Sequence, residues 1–193
     1  MLTEIDVPAR SRTSLDAIVR SGRLVLDDEG IDALTMQRVA SAVGVRAPSL
    51  YKHVRDRDAL IRLIAADVVR DLGALLRAAA TTGDPRADLI AIAHEFRAWA
   101  RAHPGGYALL FSRVPDAWIA PEPDADAIEP LLRTAAALAG PDHALEAART
   151  VVAWASGFIG MELAGAFRMG GDVDAAFAWG VEHLAAAIAA PGR

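Results

Sequence analysis

The sequence predicts an all-α fold of about nine helices, and three observations carry that prediction. Apolar residues recur three or four positions apart in segment after segment, with no alternating run of the kind a half-buried strand requires. The chain of 193 residues is 53% hydrophobic, rich in alanine and leucine, and only 6% aromatic, a composition that favours helix over sheet. Most of the periodic segments are opened by Ser, Thr, Asp or Pro or closed by Gly or Pro, the usual start and stop signals of helices.

Taken in order, the first dozen residues, with Arg10 and Arg12 beside Ser and Thr, read as a flexible arm. A helix opens after Thr13 or Ser14, either of which can cap the free amides, and Asp16 suits the positive end of its dipole. Leu15, Ile18, Val19, Leu24, Val25 and Leu26 recur along it, and Gly30 stops it. Thr35 opens a second helix with the apolar face Met36, Val39, Ala40 and Val43, stopped by Gly44. Pro48 begins a short third helix running through Leu50, Tyr51 and His53. Asp56 caps a fourth, from Arg57 to about Ala80, which ends in the break Thr81-Thr82-Gly83-Asp84-Pro85.

The fifth helix places Leu89, Ile90, Ala93, Phe96, Trp99 and Ala100 on one side, and His103-Pro104-Gly105-Gly106 breaks it. A short piece from Tyr107 to Phe111 follows, then an irregular stretch from Arg113 to Pro123. Ala125 to Ala139 is helical and ends at Gly140-Pro141. Asp142 caps a long helix to Phe167 or Met169, broken by Gly170-Gly171. The last helix opens at Asp172 or Val173 and ends near Ala190-Pro191-Gly192.

The length suits one compact unit or a small headpiece on a larger body. Without cysteine there is neither a disulfide framework nor a thiolate metal site. The acidic N-terminus is no secretory signal and no apolar run is long enough to span a bilayer, so the expected location is the cytoplasm, with no membrane partner. The histidines His53, His94, His103, His143 and His183 lack metal-ligand spacing, and neither a Gly-rich phosphate loop nor a nucleophile elbow occurs. No metal, no cofactor and no catalysis are expected.

The net charge of −5 argues against non-specific coating of nucleic acid. It hides an asymmetry. From Thr35 to Arg57 the basic residues Arg38, Arg46, Lys52, Arg55 and Arg57 face a single acid, Asp56, while the remainder is acidic. Such local charge suits one face on an anion such as the DNA backbone, though an ordinary solvated patch has the same composition.

The basic stretch is two short helices joined by a tight turn at Gly44, the arrangement of a helix-turn-helix. Ala40 is small where the helices cross, Gly44 can take the left-handed conformation, and Val39, Val43, Val45 and Leu50 bury the inside. Gln37, Arg46, Ala47, Ser49, Tyr51, Lys52 and His53 are left outside, as a DNA-facing surface requires. A helical hairpin in an ordinary bundle is the plainer reading of the turn alone.

Leu34-Thr35, Val39-Ala40, Gly44-Val45, Pro48-Ser49-Leu50-Tyr51-Lys52-His53-Val54 and Asp58-Ala59-Leu60 together resemble the DNA-binding domain of the tetracycline-repressor family over about residues 14 to 64. The resemblance implies an arm and DNA-binding headpiece over residues 1–57 and a regulatory, dimerising body over 58–193. It implies that Thr35 caps the second helix and holds a phosphate, and that Gln37 and Arg38 could reach a base edge or the backbone. Arg46, Ala47, Pro48 and Ser49 would set sequence preference, with Arg46 or Gln37 the better candidates for direct readout. Tyr51, Lys52 and His53 would hold phosphates, and Arg57 is a further phosphate candidate.

It also implies a homodimer through the last two helices, which are dense in Ala, Gly and Leu, on a two-fold operator in double-stranded DNA. An effector pocket is expected among the fourth to eighth helices, with Phe96, Trp99, Tyr107, Leu110, Phe111, Trp118, Trp154, Phe158 and Met161 as candidate lining residues. Phe167 belongs to the same set, which suits a small, mostly apolar molecule. Glu162 and Arg113 are candidate polar anchors. Trp154-Ala155-Ser156-Gly157-Phe158, with Glu162 and Gly165, resembles a subtype with a Trp-His-Gly signature, but Ala155-Ser156 stands where that subtype has His. The expected function is a ligand-responsive transcriptional regulator that represses until its effector binds. The competing function is a helical small-molecule-binding or interaction protein without DNA binding.

Overall fold

A computed structural model describes residues 14–112, 114–118 and 125–189. The N-terminal arm with Arg10 and Arg12, and Arg113, lie outside the described residues. Among those described there are nine α-helices and no strand. They fall into two compact units, one holding 14–67 and 114–118, the other 68–112 and 125–189.

The first unit holds α1 (Leu15–Glu29), α2 (Met36–Val43), α3 (Ala47–Leu50) and the first turns of α4 (Arg57–Ala79). Local chemistry sets its boundaries. The Ser14 hydroxyl accepts from the Ala17 amide and the Thr35 hydroxyl from the Arg38 amide, each satisfying a free N–H of a first turn. At Gly44 (φ +80°) the chain turns left-handed, so that the Val45 and Gly44 amides reach back to the Ala40 and Ser41 carbonyls and close α2. Ile18, Leu26, Leu34, Val39, Leu50, Leu60, Ile61 and Ile64 form the core.

The border between the units lies inside α4, ten residues beyond the 57/58 division expected from sequence. The reason is packing. Leu60, Ile61 and Ile64 are buried in the first unit, a Cβ on Gly22 would sit 2.6 Å from the Ile64 Cδ1, and Arg23 pairs with Asp67 at 2.7 Å.

The second unit holds the rest of α4, then α5 (Pro85–Ala102), α6 (Pro104–Phe111), α7 (Ala125–Ala139), α8 (Ala144–Leu163) and α9 (Val173–Ile188). Here α5 packs against α6, α7, α8 and α9, so it is the central helix. Three boundaries differ from the sequence expectation. Pro104 begins α6 rather than interrupting the chain, because a first-turn proline gives up no needed hydrogen bond. Asp142 sits in a short 3₁₀ turn and α8 starts after it, at Ala144. The α8 helix stops at Leu163, short of Phe167, because Gly165 (φ +62°) turns left-handed and the Ala166 and Gly165 amides bond the Met161 and Glu162 carbonyls.

The break between α4 and α5 is tied down by Asp88, whose Oδ1 accepts from the Thr82 amide at 2.8 Å and the Thr82 hydroxyl at 2.7 Å. The Thr82 bonds hold the Asp88 carboxyl below the usual carboxylate range. A lowered folded value means the carboxylate stabilises above its unfolded value of about 3.9 and loses that contribution as pH falls through the folded value. Asp88→Asn is therefore expected to lower the melting temperature at neutral pH and to flatten the acid side of the melting-temperature profile, read by thermal unfolding followed by circular dichroism between about pH 6 and pH 2.

Candidate nucleic-acid interface and apolar cavity

The helix-turn-helix presents its outside as the alternation of core and surface demands. Leu50 and Val54 point inwards, which leaves Tyr51 (54% exposed), Lys52 and His53 on the surface. Thr35, Gln37, Arg46 and Pro48 are also exposed, and Ala47 and Ser49 are half-buried. The α3 helix is shorter than expected: it ends at Leu50, and 51–53 form a turn in which the His53 and Val54 amides both return to the Leu50 carbonyl. The three expected phosphate-holding residues therefore sit on one compact turn.

Besides the Thr35 cap, two cations of the expected set are engaged within the chain. The Arg38 Nε donates to both Glu29 carboxylate oxygens, at 2.9 and 3.1 Å, binding the end of α1 to α2. Hydrogen bonding to Arg38 holds the Glu29 carboxyl low and, in turn, raises the guanidinium. Arg57 donates from Nε to the Leu34 carbonyl at 2.7 Å and from Nη2 to the Ile31 carbonyl at 2.6 Å. The guanidinium of this phosphate candidate secures the loop before α2. These partners lie nine and more than twenty residues away, beyond the reach of local pattern.

The second unit contains a cavity of about 280 Å³ whose fourteen lining residues are all aliphatic or Phe. Leu72 and Leu76 of α4, Ile92 and Phe96 of α5, and Val151 and Val152 of α8 are among them. From the expected set the cavity takes Phe96, Leu110 and Phe111. Tyr107 stands behind the wall, its ring 5.2 Å from that of Phe111 and its hydroxyl donating to the Ser156 carbonyl at 2.8 Å. Trp99 is buried against Phe96, 6.2 Å between ring centres.

The remaining expected lining residues lie elsewhere. On α8 the helical period turns Val151, Val152 and Ala155 towards the cavity and Trp154 and Phe158 towards α9, where both rings lie 5.1 Å from that of Phe177. Phe167 joins this second aromatic group at 4.7 Å from Phe158, and Met161 is exposed. Trp118 belongs to the first unit, where its Nε1 donates to Asp58. Glu162 is not among the residues that line this cavity, and it takes both forks of Arg97, Nε to Oε2 and Nη2 to Oε1, each at 2.7 Å. The aromatic residues look like one set in the sequence because α5, α6 and α8 all carry them; only the packing separates them into two groups. The aliphatic side chains of α4 and α7 that complete the cavity carry no sequence signal beyond ordinary core periodicity. Among the described residues no cluster of three or more His, Asp or Glu could hold a metal ion, and no helix is long and apolar enough to cross a membrane.

Comparison with known proteins gives a consistent likeness. Residues 18–64 match the family described as "Bacterial regulatory proteins, tetR family", and residues 89–184 the one described as "Tetracyclin repressor-like, C-terminal domain". The HTH-type transcriptional regulator Rv0681 of Mycobacterium tuberculosis is 34% identical over 106 residues, 54% of this chain and 48% of its own length. The HTH-type transcriptional repressor DrrR1 of Streptomyces coeruleorubidus is 35% identical over 97 residues, 47% of this chain and 33% of its own. The chain spans about half the length of the curated relatives that it matches first. The solved structure of SCO4313 superposes with a TM-score of 0.74 at 29% identity, covering 92% of this chain and 98% of the other.

Proposed function

The chain belongs to the tetR family of bacterial regulatory proteins, and from that premise we propose that it is a ligand-responsive transcriptional repressor that binds a two-fold operator as a homodimer and is released by a small apolar effector. The observation that carries this reading is the turn Tyr51-Lys52-His53 standing exposed, with Arg46 and Gln37 exposed as well, in a stretch of an acidic chain where five basic residues meet one acid. Helix-turn-helix modules put such a surface into the major groove and against its phosphates. Arg46 and Gln37 are the candidate base readers; Thr35, Ala47, Pro48 and Ser49 shape the approach; Tyr51, Lys52 and His53 clamp the backbone. The name of DrrR1 as a repressor supports repression over activation.

The effector reading rests on the cavity. A lining without a polar side chain rewards loss of apolar surface from water and penalises any buried charge on the ligand. The dimer reading rests on α8 and α9. Ala153, Gly157 and Met161 share the outer face of α8, and Ala176, Trp179 and His183 that of α9, with Trp179 65% exposed. A small-residue and aromatic face of that kind needs a cover, and a second copy of the same face gives a closed two-fold pair.

The test is electrophoretic mobility shift with duplex DNA from upstream of the protein's own gene at low salt. The native chain is expected to shift it. A Cβ at Gly157 meets nothing within 4 Å, so Gly157→Arg fits the subunit but buries a charge in the paired face. That variant is expected to sediment as a monomer and to lose the shift. A well-formed native dimer that moves no duplex would sink the repressor reading in favour of a ligand-binding protein without DNA.

A further inference from the structure

The 114–118 stretch follows α6 in sequence but packs in the first unit. It is wound into a 3₁₀ turn, with the Trp118 amide donating to the Pro115 carbonyl at 2.9 Å. The Trp118 indole makes two contacts at the start of α4. Its Nε1–H donates to Asp58 Oδ1 at 2.8 Å, and the Arg57 guanidinium carbon stands 5.3 Å from its ring centre, within cation–π range. That guanidinium is the one that donates to the Ile31 and Leu34 carbonyls. The loop it holds runs directly into Thr35, the cap of α2.

We propose that Trp118 is a positioning residue for the DNA-binding surface: by covering Arg57 it holds the guanidinium on the 31–34 loop and so fixes where α2 begins and how α2 and α3 face a duplex. An arginine left uncovered keeps its rotamer freedom and its water, both of which compete with two backbone carbonyls. The indole removes that freedom on one side. Asp58 supplies the direction, because a bonded Nε1 fixes the rotation of the ring and keeps its face towards Arg57. Neither the sequence pattern nor the likeness to known regulators assigns Trp118 this part. The proposal rests on the reading of the headpiece as a DNA-binding surface, but its local half can be tested without DNA.

Amide hydrogen exchange on the full chain reads that half. Trp118→Ala is expected to speed exchange over residues 31–40 by about tenfold, with α5 and α8 unchanged, as for a local opening. Trp118→Phe, which keeps a ring face over Arg57, is expected to restore most of the protection. Adding Trp118→Ala to Arg57→Gln should produce no further increase, because both remove one hold. In fluorescence anisotropy with the upstream duplex, Trp118→Ala weakens binding by about tenfold and Trp118→Phe by less than about threefold. Should Trp118→Ala unfold the chain, Asp58→Asn at its exposed position keeps the side-chain size while weakening the acceptor, and is expected to give the same footprint at about threefold. Native exchange over 31–40 in these variants, or effects that add to those of Arg57→Gln, overturns the proposal. If the exchange pattern is as stated but the native chain binds no duplex, the DNA-binding reading falls and the hold on Arg57 stands.

Discussion

Replacing Tyr51 and Lys52 together by alanine is expected to weaken operator binding by about a hundredfold or more, with fold and dimer intact. The residues lie between two buried anchors, Leu50 and Val54, and neither packs in the core. Their loss should move stability by no more than about 0.5 kcal/mol. What they supply is on the outside: a phenol that can donate to a phosphate oxygen, and a cation that releases a counterion when it meets one. Titrating salt separates the two. Removing Lys52 should lower the slope of log affinity against log salt by about one, while removing Tyr51 alone should lower affinity at unchanged slope. Anisotropy with the upstream duplex reads affinity and slope, and circular dichroism reads the fold. If the double variant binds like the native chain, the clamp is misplaced and the basic stretch is an ordinary solvated face.

Most of the fold was legible because helix ends are local chemistry. Ser14, Thr35, Asp84 and Asp172 cap through their own side chains onto amides two or three residues on, and Gly44 turns the chain by its own left-handed φ. What was not legible depends on residues far apart in sequence. Gly73 gives no special local signal, yet a Cβ there would lie 2.6 Å from the Ala127 Cα, so it sets how closely α4 and α7 meet beside the cavity. Arg57 reads as a surface cation until Ile31 and Leu34 are seen to accept from it. Trp118, one aromatic residue among proline-rich neighbours, reads as a pocket wall until Asp58 fixes it in the other unit. The candidate interface could be proposed from sequence because it is contiguous; of the residues expected to line the cavity only Phe96, Leu110 and Phe111 do so, because five helices contribute to it.

Glu162→Ala is expected to cost about 3 kcal/mol of stability and to lower the melting temperature by about 6–12 °C. The Arg97 side chain is 6% exposed, with Phe177 and Phe158 rings 4.8 and 5.7 Å from its guanidinium carbon. Glu162 takes two of its N–H groups, and Asp174 at 2.7 Å, itself largely exposed, is the other carboxylate on it. Removing Glu162 therefore leaves a cation buried among rings with one solvent-screened partner, and the loss comes from that unmatched charge more than from the pair's own attraction. Glu162→Gln keeps an acceptor and should cost less, about 1–2 kcal/mol. Replacing both partners, Arg97→Met with Glu162→Leu, removes the charge along with its need for a partner and should come back close to native stability. The exposed pair Arg133–Glu129, one helical turn apart, is the control, and breaking it should cost no more than about 0.5 kcal/mol. Urea unfolding of the four variants measures these differences. Equal losses for Glu162→Ala and the double replacement would mean that packing around α5, α8 and α9, and not the buried charge, sets the cost.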